Sequence, residues 1–130
     1  GAMKSALKAL RNWPSYDDIK MLSAFANIEL GKYSLAEEIG KQISDSSLNL
    51  EKDNLLAVAS FAQGHPERAI PVWEKLSKKY PRNLAVSFNL TTAYLTYMNV
   101  KQAKAELDRI EKIFPKNSEL TRLSNLTRKL

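Results

Sequence analysis

The chain has 130 residues, 44% of them hydrophobic and 26% charged, with a net charge of +6 and no cysteine. That length holds one domain burying roughly two-thirds of its unfolded surface, and the missing thiols exclude disulfides and thiolate metal sites. No apolar run approaches the roughly 20 residues that cross a bilayer, and Lys and Arg interleave with Asp and Glu instead of massing as a nucleic-acid footprint.

No secretory pattern opens the chain. A cysteine-free chain suits a reducing cytoplasm and is equally allowed in a periplasm if a targeting segment was trimmed, so the compartment stays open. Gly1, Ala2 and Met3 read as a cloning scar, with Met3 as a native start, and residues 4–130 as a single domain. Residues 4–12 form a half-unit ending at Trp13-Pro14, which either starts the native protein or was cut from a longer array.

The first full helix is expected at 17–30, where Ile19, Leu22, Ala26 and Leu30 recur at helical spacing and Met21, Phe25 and Ile28 broaden the stripe. Gly31 stops it, and Ser34 with Glu37 reads as a capping box opening a helix over 34–45. A third helix, 50–63, ends at Gly64. A fourth, 66–79, starts with Pro66, whose missing N–H costs nothing there, and holds Pro71, which predicts a kink or a distorted first turn. Helices over 84–97, 100–113 and 118–129 follow.

These elements repeat. Trp13-Pro14, Tyr80-Pro81 and Phe114-Pro115 keep one phase, with Ser47 in the place of a fourth aromatic residue. Ala26, Ala59 and Ala93 are 33 and 34 residues apart, as are Ala24, Ala57 and Thr91, then Ala36, Ala69 and Ala103, then Ile43, Leu76 and Ile110. Gly31 and Gly64 share a column whose third member is Met98. Small side chains in such columns let helices approach closely where they cross.

The columns resemble the tetratricopeptide repeat, a unit of about 34 residues built as helix-turn-helix. The match is best in the unit 84–117, with Leu90, Ala93, Tyr94, Ala103, Ile110 and Pro115. It is good in 50–83, with Ala57, Gly64, Ala69, Trp73, Leu76 and Pro81. It is weaker in 17–49, where Gly40 replaces a large residue and no proline closes the unit; residues 118–130 look like a capping helix. The resemblance implies an all-α, right-handed superhelix (an α-solenoid) of antiparallel helix hairpins. Its concave groove, lined by the first helix of each unit, would bind a peptide or helix of another protein.

Carried over by position, the groove candidates are Asp18, Met21, Phe25 and Glu29, then Asn54, Val58 and Phe61, then Phe88, Thr92 and Leu95. The carboxylate clamp that some members use on chaperone tails needs Lys, Asn and Arg. Its positions here hold Met21, Phe25, Leu55, Ala85 and Asn89, which argues against such a ligand. Met and Phe at helical spacing also suit a core, and Phe61 leans that way. His65 reads as an exposed loop residue. Asp17-Asp18 and Glu37-Glu38 complement helix N-termini, and no catalytic residues, metal ligands or cofactor motif are identified.

The expected function is therefore non-enzymatic: a scaffold or adaptor, within a larger bacterial signalling, pilus or secretion protein, that holds an apolar peptide or helix. A three-repeat secretion-chaperone-like protein holding apolar client segments is one alternative. A basic-surface binder of nucleic acid or acidic lipid is another, and homodimerisation through the groove or the half-unit stays open.

Overall fold

The computed structural model describes residues 15–130, so the expected half-unit 4–12 and its Trp13-Pro14 closure lie outside the described residues. Seven helices follow in order: α1 (Tyr16–Glu29), α2 (Tyr33–Lys41), α3 (Asn49–Ala62), α4 (Pro66–Lys79), α5 (Leu84–Thr96), α6 (Val100–Ile113) and α7 (Ser118–Thr127). Each falls within a few residues of its expected place except α2. That helix ends at Lys41 and hands over to a short 3-10 turn, Ser46–Leu48. The turn is held by Asp45, whose Oδ1 accepts from the Ser47 N–H at 3.0 Å and the Ser47 hydroxyl at 2.8 Å. A polar side chain closes this unit where an aromatic-proline pair closes the others.

Three turns within hairpins have the same construction. The Lys32 N–H donates to the Asn27 carbonyl at 2.8 Å, that of His65 to Ser60 at 2.9 Å, and that of Asn99 to Tyr94 at 2.7 Å. Each spans a residue in the left-handed region, at φ +75° for Gly31, +86° for Gly64 and +61° for Met98. This is the Schellman arrangement, for which glycine is the unstrained choice. Met98 makes the same hydrogen bonds with a Cβ in place.

One expectation about a helix start needs correction. Ser34 and Glu37 form no capping box, because α2 begins at Tyr33 with Lys32 as its cap. Instead Ser34 Oγ donates to Gln63 Oε1 at 3.3 Å and Gln63 Nε2 to Glu37 Oε2 at 3.0 Å, tying α2 to the end of α3. The capping box is at Ser15 and Asp18: the Asp18 N–H donates to Ser15 Oγ, and the Ser15 N–H to Asp18 Oδ2, both at 3.0 Å. Asn83 and Asn117 cap α5 and α7 by accepting from Val86 N–H and Leu120 N–H at 3.0 and 3.1 Å. Pro66 takes the first turn of α4 as expected, and the helix runs unbroken through Pro71.

The helices pair as hairpins, α1 with α2, α3 with α4 and α5 with α6, and each hairpin packs on the next through α2–α3, α4–α5 and α6–α7. The alanine columns explain the close approach: Ala24, Ala36, Ala59, Ala69, Ala93 and Ala103 are all 0% exposed. Around them lie three apolar clusters, one per seam. Met21, Ala24, Ile43 and Leu55 form the first, Trp73, Leu76, Leu90 and Tyr94 anchor the second, and Leu107, Ile110 and Leu120 the third. Gly40 departs from the large residue usual at its position for a local reason. A Cβ there would meet Leu56 Cδ2 at 3.1 Å and Leu55 Cδ2 at 3.2 Å, so two leucines of α3 already fill the space.

Candidate partner-binding groove

The first helices touch in series, α1 to α3 and α3 to α5, whereas among the described residues α2, α4 and α6 do not touch one another. Helices closer on one side than on the other bend the array, and the concave side is the one lined by α1, α3 and α5. Three columns cross it. Met21, Asn54 and Phe88 form one, Phe25, Val58 and Thr92 the next, and Ile28, Phe61 and Leu95 the third.

The expected groove residues separate by exposure. Phe25 is 43% exposed, and Glu29 and Thr92 are also exposed. Asp18, Asn54, Val58, Phe61, Phe88 and Leu95 are half-buried. Met21 is a correction: at 6% exposure it belongs to the first core cluster, wedged with Ile43 and Leu55 and unable to meet a partner. Ile28, rather than Glu29, shares the column of Phe61 and Leu95, a point that column spacing alone carries.

Several half-buried candidates already have internal work. Asn54 Oδ1 accepts from Trp73 Nε1 at 2.8 Å and from Asn89 Nδ2 at 2.9 Å, joining α3, α4 and α5 through one side chain. Phe88 packs on the third cluster. Val58 and Leu95 lean on the second. The Asp18 carboxylate is occupied as the cap of α1. Phe61 packs with its ring centroid 5.7 Å from that of Trp73 and edge-to-face with Tyr97 at 5.9 Å. The core role expected for it is therefore half the account, because Tyr97 at its other edge is 44% exposed. No sequence column pointed to Tyr97, which enters through the turn that Met98 forms.

Charge is sided. Helices α1, α3 and α5 carry Asp17, Asp18, Glu29, Glu51 and Asp53 against Lys20 and Lys52, two positive minus five negative, or −3, in a chain of net +6. Both lysines are engaged: Lys20 lies 3.9 Å from Asp17, and Lys52 Nζ donates to the Ile43 carbonyl at 2.6 Å. Lys75, Lys78, Lys79, Lys101, Lys104 and Lys112 all lie on α4 and α6. The first helices are thus net acidic, whereas α2, α4 and α6 mix nine basic with seven acidic side chains, nine minus seven, or +2. His65 lies in the loop before α4, as expected, with its side chain 42% exposed and its Nδ1 3.1 Å from Glu67 Oε1.

One buried polar cluster escaped the sequence reading. Glu106 Oε1 accepts from Arg109 Nη2 at 2.6 Å, Ser87 Oγ at 2.7 Å and Ser77 Oγ at 3.0 Å, and Arg109 Nη1 donates to the Pro81 carbonyl at 2.7 Å. Burial by itself would push the Glu106 carboxyl up. The hydrogen bonds from Arg109 and Ser87, the Arg109 charge and the Ser77 hydroxyl outweigh it and hold the group below its ordinary value. Nearby, burial and the bond to Glu74 raise the Tyr94 phenol well above its usual range, and its hydroxyl donates to Glu74 Oε2 at 2.7 Å. The cluster locks α4, α5 and α6 together. Among the described residues no three His, Asp or Glu side chains gather as metal ligands, and no helix is long and apolar enough to cross a membrane.

Residues 60–126 match a family model described as tetratricopeptide repeat. No curated protein matches the sequence. Among solved structures, the type III secretion translocator chaperone SycD of Yersinia enterocolitica is similar with a TM-score of 0.70 and 18% identity, over 93% of this chain and 86% of that one. A mutant of MamA is similar with a TM-score of 0.68 and 18% identity, over 87% of this chain and 66% of that one, so the chain spans just under two-thirds of it. At such identity the likeness is one of fold: an all-α solenoid of antiparallel hairpins, as the repeat columns implied.

Proposed function

The chain belongs to the tetratricopeptide repeat family, and from that premise we propose that it is a non-enzymatic interaction module whose concave side holds a peptide or helix of a partner protein. The observation that carries this reading is the open row Phe25, Val58 and Thr92, continued by Phe61 and Tyr97, on the side where the first helices converge. Phe25 and Tyr97 are close to half exposed, so covering both contributes about 2 kcal/mol. Micromolar binding requires about 8 kcal/mol, and ordering costs come on top. A partner must therefore span all three first helices instead of gripping one residue.

The charge pattern supports an apolar segment flanked by Lys or Arg, since the exposed Glu29 and Glu51 border the row and like charges would be repelled there. A module of this kind fits within a larger bacterial signalling, pilus or secretion protein. A second reading, a secretion chaperone holding apolar client segments, is favoured by the coverage of nearly the whole of both chains in the match to SycD. A basic-surface binder of nucleic acid or acidic lipid would instead use α4 and α6.

The test is capture from lysate of the source organism with wild type and with Phe25→Glu/Thr92→Glu, both exposed positions that leave the fold intact by circular dichroism. The expected result is a partner held by wild type, lost by the variant, and changed little in affinity between low and high salt. A partner held equally by both, or one whose affinity falls steeply with salt as phosphate contacts require, would overturn the groove assignment.

A further inference from the structure

The Glu106–Arg109 cluster has no counterpart one unit back, although its columns continue there. Asp53 stands 34 residues before Ser87, Val72 before Glu106, Lys75 before Arg109 and Lys79 before Ile113. Valine brings no carboxylate, and Lys75 has no forked guanidinium to tie several oxygens at once. The first hairpin is tied internally in another way. Asp17, in the column of Leu50, accepts from the Ser44 and Asp45 N–H groups at 3.3 and 2.9 Å and lies 3.9 Å from Lys20, in the column of Asp53. Leu50 can do neither. Between α3 and α4 there remains a cavity of about 400 Å³.

Its lining is of two kinds. Leu50, Leu56, Val72 and Leu76 are buried or half-buried and form the inside, while exposed Lys75 and Lys79 of α4 and Asp53 of α3 stand at the mouth. Among the described residues none of these three charges joins an ion pair. Lys79 lies over the Tyr80 ring instead, its Nζ 5.6 Å from the centroid. Two positive charges minus one negative leave the mouth at +1. Lys75 and Lys79 are four residues apart on α4 and so share one helical face, close enough for a single anionic group to sit between their ammonium groups.

We propose that this cavity binds a small amphiphilic monoanion, an apolar body ending in a carboxylate, with the charged end between Lys75 and Lys79 and the body on the four apolar side chains. Size points to a small molecule. The cavity lies at the lower end of the roughly 300–1,000 Å³ typical of such sites, and a helix about 10 Å across does not fit inside it. Energetics point to an amphiphile. Exposed lysines add little on their own, so an inorganic ion is held weakly and the apolar lining must supply most of the affinity. The +1 mouth selects the sign, and Asp53 disfavours a second negative charge on the ligand. The cavity shares no residue with the groove row, so this inference stands apart from the proposed partner binding.

The test titrates the full-length, nitrogen-15-labelled chain with octanoate, kept below its micelle concentration, and follows the backbone amide shifts. The expected result is saturable shifts at residues 49–56 and 72–80, with octanol, octylammonium and inorganic phosphate each bound more weakly. Lys75→Gln/Lys79→Gln changes two exposed side chains and leaves the helices intact. It should weaken octanoate roughly three- to tenfold, the sum of two exposed charge contacts, and leave octanol unchanged. Asp53→Ser/Val72→Glu/Lys75→Arg writes the third hairpin's residues into the second and should abolish octanoate binding. Circular dichroism checks both variants, and the lysine pair carries the test should the triple change unfold. Absence of saturation in wild type would overturn the inference, as would equal affinity for octanol or for the lysine variant. Shifts confined to Phe25, Val58 and Thr92 would overturn it too, placing the anion in the groove.

Discussion

Met98 offers a direct measure of how strongly the repeat geometry constrains its turns. It occupies the column of Gly31 and Gly64 at φ +61°, and its side chain is 76% exposed. An L-residue in the left-handed region costs about 1–2 kcal/mol. Glycine relieves that strain but returns roughly 0.5–1 kcal/mol through its freer unfolded chain. Comparison with Met98→Ala removes the small contribution of the side chain, so Met98→Gly should exceed Met98→Ala by about 0.5–1 kcal/mol, or roughly 2–5 °C in Tm for a domain of this size. The converse changes complete the argument. Nothing lies within 4 Å of a Cβ built at Gly31 or Gly64, so Gly31→Ala and Gly64→Ala should each lose a similar amount for backbone reasons alone. Urea unfolding followed by circular dichroism reads all four variants. Equal midpoints for Met98→Gly and Met98→Ala, or an unchanged Gly64→Ala, would refute the strain argument.

Two further outcomes follow from the interior. The Glu106 carboxyl is held below its ordinary value of 4.5 in the folded chain, so its contribution is fully present above that value and is lost as pH falls through the lower folded one; urea midpoints from pH 7 to 3 should drop less steeply at the acid end for Glu106→Gln than for wild type, and parallel curves would remove the cluster from the acid response. Thr91 stands in an alanine column at 2% exposure, with its hydroxyl lacking a hydrogen-bond partner, so Thr91→Val, which keeps the volume and removes the orphaned group, should raise stability by about 1 kcal/mol, and a lower urea midpoint would show that the hydroxyl is satisfied.

Helix number, order and phase were legible because they are recorded twice in the chain, once in the 3.6-residue apolar period and once in the 33- and 34-residue columns. Both are local or translational signals that need no knowledge of distant neighbours. The column Gly31, Gly64 and Met98 located even a strained turn whose third member gives no chemical hint of it. The same reasoning failed at Ser34 and Glu37, because a capping-box pattern is short and both side chains have better partners in Gln63, 26 to 29 residues away.

The groove was legible as a set of positions and not as a surface. Met21 and Phe25 are four residues apart on one helix, and nothing in their spacing separates them. Ile43 and Leu55 close over Met21, while Phe25 stays 43% exposed. Asn54 has the spacing of a polar groove residue, yet its oxygen is taken by Trp73 and Asn89 from two other helices. The Glu106–Arg109 cluster draws on Ser77 and Ser87, which have no pattern of their own. The sequence by itself determined which residues share a column and therefore the repeat and the hairpins. Only the tertiary structure decided which members of a column are exposed, because exposure depends on side chains that arrive from neighbouring helices and not on period.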